Sequence, residues 1–257
     1  MSDPHDTIIP ELSGNVLTVS LNRPDLHNAL SPAIVVALTE LFTDLPRRDD
    51  VRVVVLTGRG RSFCAGADLA AMRAAADFTF DQNVADGRAI FDLMLAIDRC
   101  PQPVVGRVNG PAIGGGVGLV SCCDIVVAVE RAVFAFSEAR LGIVPAVISP
   151  FVLAKIGPAA ARELFLTGER FDARRARAIG LVHHVVDEEE LDAAVAERVG
   201  QLLQAAPGAQ TTVKELIHTV AFRPKESTRD YTAETIARRR ASDEGREGMS
   251  AFLEKRK

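Results

Sequence analysis

The sequence predicts an α/β protein with a layered sheet. Three observations carry that expectation: short apolar runs bounded by glycine and proline, helical apolar stripes between them, and a recurring order of strand, strand, helix. Val16–Leu21 sets Leu17, Val19 and Leu21 against Thr18 and Ser20, the alternation of a strand with one buried face. Asn22-Arg23-Pro24-Asp25 breaks it. Ser31-Pro32 reads as a helix start, with serine as N-cap and proline at the first helical position. Ile34, Leu38, Leu41, Phe42 and Leu45 then recur at helical spacing until Pro46. Val53–Leu56 is a continuous apolar run, as in a strand covered on both faces. A glycine-punctuated loop, Gly58–Leu69, leads into an alanine-rich helical stretch. Pro103–Val108 is the next strand, and Asn109-Gly110-Pro111 turns the chain into a glycine cluster and a small-residue helix, Gly115–Cys123. Ile125–Ala128 and Val133–Phe136 are two more strands. Pro158–Leu166 and Asp172–Ile179 read as helices, the second capped by Asp172 and ended by Gly180. Val182–Val186 is the last strand and Leu191–Ala205 a helix. From Thr211 to Lys257 the chain is polar and helical, and Pro207-Gly208 is the best candidate boundary.

Composition bounds the function. The 257 residues are 47% hydrophobic and 25% charged, with a mean hydropathy of +0.12, which excludes wholesale disorder. A formal charge of −4 offers no basic field for nucleic acid or an acidic membrane. The last 20 residues run against that average, with seven basic and four acidic side chains. Met1-Ser2-Asp3-Pro4 opens without a basic region followed by an apolar stretch, so no secretory signal is expected. The longest uncharged stretch, between Arg107 and Asp124, holds 16 residues with five glycines and a proline, too short for a membrane span. Cys64, Cys100, Cys122 and Cys123 form no C-x-x-C pair and are expected as reduced thiols of a cytoplasmic protein.

Two glycine-rich turns, Cys64–Leu69 and Ile113–Gly118, each follow an apolar strand and run into a helix. The first amides of a helix lack carbonyl partners and point outward with the positive end of the dipole. Two such turns converging can hold an oxygen that becomes negative during reaction. Neither a G-x-G-x-x-G nor a G-x-x-x-x-G-K-[ST] motif is present, so a nucleotide fold is not supported, and without G-x-S-x-G a hydrolase triad has no anchor. Glu138 follows the strand Val133–Phe136 in an apolar setting that would raise a carboxyl pKa and suit proton transfer; the plainer alternative is a surface glutamate at a strand end. Asp124 reads as a turn anchor. His183 and His184 are adjacent and lack a third ligand at metal spacing, so no metal is expected.

Taken together, Leu21-Asn22-Arg23-Pro24 with Asn28-Ala29-Leu30, Phe63–Leu69, Asn109–Gly116, Cys123-Asp124-Ile125 and Glu247–Arg256 resemble the enoyl-CoA hydratase/isomerase (crotonase) superfamily over essentially the whole chain. The resemblance implies a spiral of ββα units over residues 1–200 and a helical trimerisation segment over 201–257, assembled as a homotrimer or dimer of trimers. It implies an acyl-CoA substrate, with CoA part of the substrate and no resident cofactor. It places the oxyanion hole on the N–H groups of Ala67 and Gly115 and an acid/base on Glu138. It places CoA contacts on Arg23, Leu26, Asp68, Leu69 and the neighbouring Ala70, with Phe252 and Lys255 reaching the nucleotide from the tail. The acyl pocket would come from variable loops such as Arg73–Asn83.

One position departs from that pattern. Two-glutamate hydratases carry a first glutamate twenty residues before the second, and Gly118 stands there. Ser137–Phe151 is similar instead to methylglutaconyl-CoA-hydratase-like proteins of branched-chain catabolism. The expected function is hydration of an α,β-unsaturated acyl-CoA, branched or carboxylated. The alternatives are a Δ3,Δ2-enoyl-CoA isomerase using a single glutamate and a non-catalytic acyl-CoA binder.

Overall fold

A computed structural model describes residues 4–256. Two compact units are present, one ending at Val199 and the other beginning at Gly200.

In the first unit, β1 (Ile8–Ser13) and β2 (Val16–Leu21) form an antiparallel hairpin, with Leu12 opposite Leu17. Next come α1 (Pro32–Asp44), β3 (Val53–Gly58), α2 (Leu69–Ala75), α3 (Phe80–Asp98) and β4 (Val104–Val108). After them lie β5 (Ala112–Ile113), α4 (Gly115–Cys122), β6 (Ile125–Val129) and β7 (Val133–Ala135). The unit continues through α5 (Ser149–Thr167), β8 (Arg170–Asp172), α6 (Ala173–Ala178), β9 (His184–Val186) and into α7 (Leu191–Gln204). The α/β class expected from the sequence holds.

The main sheet has six strands in the order β1-β2-β3-β4-β6-β9, parallel from β2 onward. A second sheet, β5-β7-β8, pairs Ile113 with Ala135 in parallel. Every residue of β3 is buried, as its uninterrupted apolar run requires. The alternation of β2 buries Leu17, Val19 and Leu21. Ser31 caps α1 by accepting from Ile34 N, and Ile34, Leu38 and Phe42 turn inward. With few aromatics available, the core rests on Val, Ile and Leu around Phe42, Phe63, Phe134 and Phe136.

Several expectations need correction. Arg73–Asn83 is not a loop: Arg73–Ala75 completes α2 and Phe80–Asn83 opens α3, leaving four linking residues. A capping box fixes that start, Thr79 accepting from Gln82 N while Gln82 accepts from Thr79 N. The helix expected from Pro158 begins at Ser149. Gly157 (φ 72°, ψ 167°) breaks its helical path, so Pro158 opens the second of two joined segments.

The second unit carries α8 (Pro207–Val220), α9 (Arg229–Ala241) and α10 (Asp243–Leu253), the helical C-terminal segment that was expected. Among the described residues no helix is long and apolar enough to cross a membrane.

Candidate active site

The first glycine turn is held from both ends. Asn28 is fully buried, and its Nδ2 donates to Arg59 O and Ser62 O at 2.9 Å each. Asn109 Nδ2 donates to Gly60 O at 2.8 Å. The chain then pairs Cys64 with Ala112 and Ala67 with Leu30 through parallel bridges. The Ala67 bridge uses its neighbours: Leu30 N donates to Gly66 O at 2.7 Å and Asp68 N to Leu30 O at 3.1 Å. Successive peptides of an extended chain point to opposite sides, so Ala67 turns its own N–H away from Leu30. Gly66 sits at φ 87°, and a Cβ there would lie 2.6 Å from Ile113 O and 3.6 Å from Gly115 N. Only glycine allows both that dihedral and that approach, so the two turns touch at this residue.

The second turn starts α4. Gly114 N donates to Ala135 O at 2.8 Å, while Gly114 O accepts from Val117 N and Gly118 N. Gly115 is the first helical residue, and its N–H has no acceptor in the preceding turn of the helix.

The pairing of β5 with β7 carries Glu138 to the same place. Ile113 stands opposite Ala135, so three residues past Ala135 the Glu138 carboxylate lies against Gly114, its Oε1 3.1 Å from where a Gly114 Cβ would be. Its Oε2 is buried without a hydrogen-bond partner. Burial raises the carboxyl pKa, opposed only by Glu138's own backbone amide. The structure therefore brings a buried carboxyl with a raised pKa to the opening of helix α4, whose first amides lack carbonyl partners.

One turn further along α4, the direction a Gly118 side chain would take is filled. A Cβ there would lie 2.5 Å from Ile148 Cγ2 and 3.0 Å from Met94 Cε. No second carboxylate fits without moving both. Sequence reading missed Ile148 and Met94 because apolar residues of this kind read as ordinary core. The rigid small-residue face of α4 was the only signal for what must cover it.

Of the residues expected to contact CoA, Arg23 and Asp68 face each other, with Nη1 2.7 Å from Oδ2. Asp68 also caps α2, its Oδ1 accepting from the amides of Ala70 and Ala71. Leu26 and Leu69 are exposed on the two segments that this ion pair joins. Phe252 and Lys255 belong to the second unit, at the end of α10 and just past it. Several of the tail cations are paired locally: Arg238 with Glu234, Arg239 with Glu244, and Arg256 with Glu247 and Glu254. Lys257 lies outside the described residues.

The remaining candidates stand in the framework. Asp124 Oδ2 accepts from Val104 N at 2.7 Å, anchoring β4. His183 Nδ1 accepts from Val126 N, and burial together with the charge of Lys155 pushes its pKa down to about 4. The Cys64 thiol, buried beside the site, is pushed up to about 12 and stays protonated.

Residues 11–257 match the family described as enoyl-CoA hydratase/isomerase. A crotonyl-CoA hydratase of Syntrophomonas wolfei is 32% identical over 255 residues, which cover 98% of this chain and 97% of that protein. An enoyl-CoA hydratase from Shewanella pealeana, solved as a crystal structure, superposes with a TM-score of 0.94 at 39% identity, over 97% of this chain and 94% of that one. The crystal structure of a Mycobacterium smegmatis enoyl-CoA hydratase gives 0.93 at 35% identity, over 98% and 97%. Sequence and fold agree along the whole length, and the chain belongs to the enoyl-CoA hydratase/isomerase, or crotonase, superfamily of enzymes.

Proposed function

We propose that the protein hydrates an α,β-unsaturated acyl-CoA, with the Ala67 and Gly115 amides holding the thioester oxygen and Glu138 moving the proton. The observation that carries this reading is the placement of the Glu138 carboxylate against Gly114, next to the Gly115 amide. The oxygen of water bonds to C3 and the C2=C3 electron pair moves to the thioester oxygen, giving an enolate. Glu138 takes a proton from the water and returns one to C2, so the product is the 3-hydroxyacyl thioester. One oxyanion donor contributes about 2.7–4 kcal/mol to such a barrier.

The acyl group is branched or carboxylated on this reading, supported by the likeness of Ser137–Phe151 to hydratases of branched-chain catabolism. The enzyme works in the cytoplasm as a homotrimer or dimer of trimers. A second reading, isomerisation of a 3-enoyl-CoA by Glu138 alone, is favoured by the filling of Gly118's side-chain direction with Ile148 and Met94.

The test is turnover of crotonyl-CoA, 3-methylglutaconyl-CoA and a 3-enoyl-CoA by the purified chain and by Glu138→Gln. Hydration of a 2-enoyl substrate, reduced about 10²–10⁴-fold in the variant with acyl-CoA binding retained, supports the first reading. Double-bond migration alone selects the isomerase. Tight binding without turnover leaves a binder, and full activity of the variant removes Glu138 from the mechanism.

A further inference from the structure

The extended segment Gly66–Asp68 carries Ala67, which bridges to Leu30, and a set of polar contacts fixes it to the segment Arg23–Leu30. Arg23 Nη1 donates to Asp68 Oδ2 at 2.7 Å and to Ala29 O at 3.0 Å, joining one guanidinium nitrogen to both segments. Asp68 spends its other carboxylate oxygen on Ala70 N and Ala71 N, at 2.8 and 3.1 Å. Arg23 is itself held, its N–H donating to Asn28 Oδ1 at 2.9 Å while its carbonyl accepts from Asn28 N. The ion pair is sheltered, with side-chain exposures of 21% for Arg23 and 8% for Asp68.

This geometry bears on aim. Asp68 directly follows Ala67, so its side chain fixes the next peptide while the bridge to Leu30 fixes its amide. Displacing the Ala67 N–H relative to Gly115 would break the bridge, the ion pair or the cap of α2. Catalytic geometry is sensitive at this scale: a misplacement of about 1 Å can change a rate by about 10²-fold.

We propose that Arg23 and Asp68 are positioning residues that hold the Ala67 amide on the thioester oxygen, rather than residues that bind CoA. This inference rests on the reading of Ala67 as an oxyanion donor. It gives these two side chains a role other than the CoA contacts that the family resemblance implied at these two residues. An arginine committed to a sheltered carboxylate and a backbone carbonyl contributes orientation, and bonds between charged groups of this kind are stronger and more directional than neutral ones.

Asp68→Asn keeps an oxygen to cap α2 while removing the negative partner of Arg23, and Arg23→Met removes the cation while keeping most of the apolar stem. Each variant is expected to lower kcat about 10–100-fold with KM for the acyl-CoA and affinity for free CoA within about twofold of wild type. The double variant should be no worse than either single, because both break one link. Arg23→Lys should recover part of the rate. A bound cinnamoyl-CoA analogue, whose absorbance moves to longer wavelength as its carbonyl is polarised, should show a smaller shift in Arg23→Met. A purely structural role would lower Tm and leave that shift in place, overturning the proposal. A tenfold loss of CoA affinity with kcat unchanged would also overturn it, by returning Arg23 to CoA binding. Wild-type protein inactive on every enoyl-CoA would instead remove the functional reading beneath it.

Discussion

Glu138 and Asp68 are carboxyls of one site whose surroundings shift them in opposite directions. Burial raises Glu138, leaving its Oε2 without a hydrogen-bond partner. Asp68 would also be raised by burial, but the Arg23 hydrogen bond and the amides of Ala71 and Ala70 outweigh it and lower the pKa. The two signs make separate predictions through linkage. A carboxyl raised in the folded state binds its proton more tightly there than in the unfolded chain. Glu138 therefore burdens the fold above its folded pKa, and the burden vanishes below its unfolded one. Glu138→Gln should melt higher than wild type near pH 8 and lose that advantage toward pH 4, while turnover is lost; equal melting curves at both pH values would contradict it. Asp68 behaves the other way: its contribution is present above the unfolded pKa and disappears as pH falls through the folded one. Asp68→Asn should lower Tm near neutrality and converge with wild type in acid. Glu138 was legible in the sequence because a lone acid between Phe134–Ser137 and Leu141 invites a role. The CoA contacts at Arg23 and Asp68 came from the family resemblance alone; that the two residues, 45 apart, face each other had no local sign in the sequence.

At the level of elements, α4 shows how a helix of small residues decides what its surroundings can be. Gly114 and Gly118 are one turn apart, and Glu138 covers the first while Ile148 and Met94 cover the second. Gly118→Glu should therefore cost stability by about 1–3 kcal/mol from overpacking, with a further penalty for a buried carboxyl, and should not yield a two-glutamate hydratase. Gly118→Glu combined with Ile148→Ala should be more stable than the sum of the two single changes, since each supplies the volume the other lacks. Urea denaturation of the four proteins measures the coupling, and simple additivity would mean that Ile148 does not fill that space. Elements with a strong local pattern were readable: α1 from its Ser31-Pro32 start and apolar stripe, β3 from an unbroken apolar run, α6 from the Asp172 cap that accepts from Arg175 N. Others were not. β1 contains Pro10 and is largely exposed, a composition that denies strand character except at a sheet edge, where it lies. β5 and β8 span two and three residues and owe their conformation to partners far along the chain. The Thr79-x-x-Gln82 capping box was the available sign that α2 and α3 are separate helices.

Across the whole molecule, the residues left in water are the least compatible with a chain that works alone. In the first unit Leu141 and Leu166 are 60% and 76% exposed, and Arg140 Nε, donating to Thr167 O, ties the turn that holds the first to the end of α5 that holds the second. In the second unit Phe222, Phe252 and Leu253 are exposed by 79% or more. Apolar side chains grouped at a surface mark contact regions more often than solvent faces, and burying one such side chain contributes about 1.5–3 kcal/mol. The net charge of −4 does not oppose association strongly, and several cations of the tail have acids beside them. The proposed assembly into three or six chains would therefore have an apolar basis, and moderate salt should leave it intact. Sedimentation velocity at micromolar protein should return three or six times 27.6 kDa in both 0.1 and 0.5 M salt. Leu141→Asp combined with Leu166→Asp places two charges where burial is expected and should shift the population toward single chains while the far-ultraviolet circular dichroism is preserved. Wild type sedimenting as one chain would refute the assembly outright. An assembled double variant would move the contact to another surface.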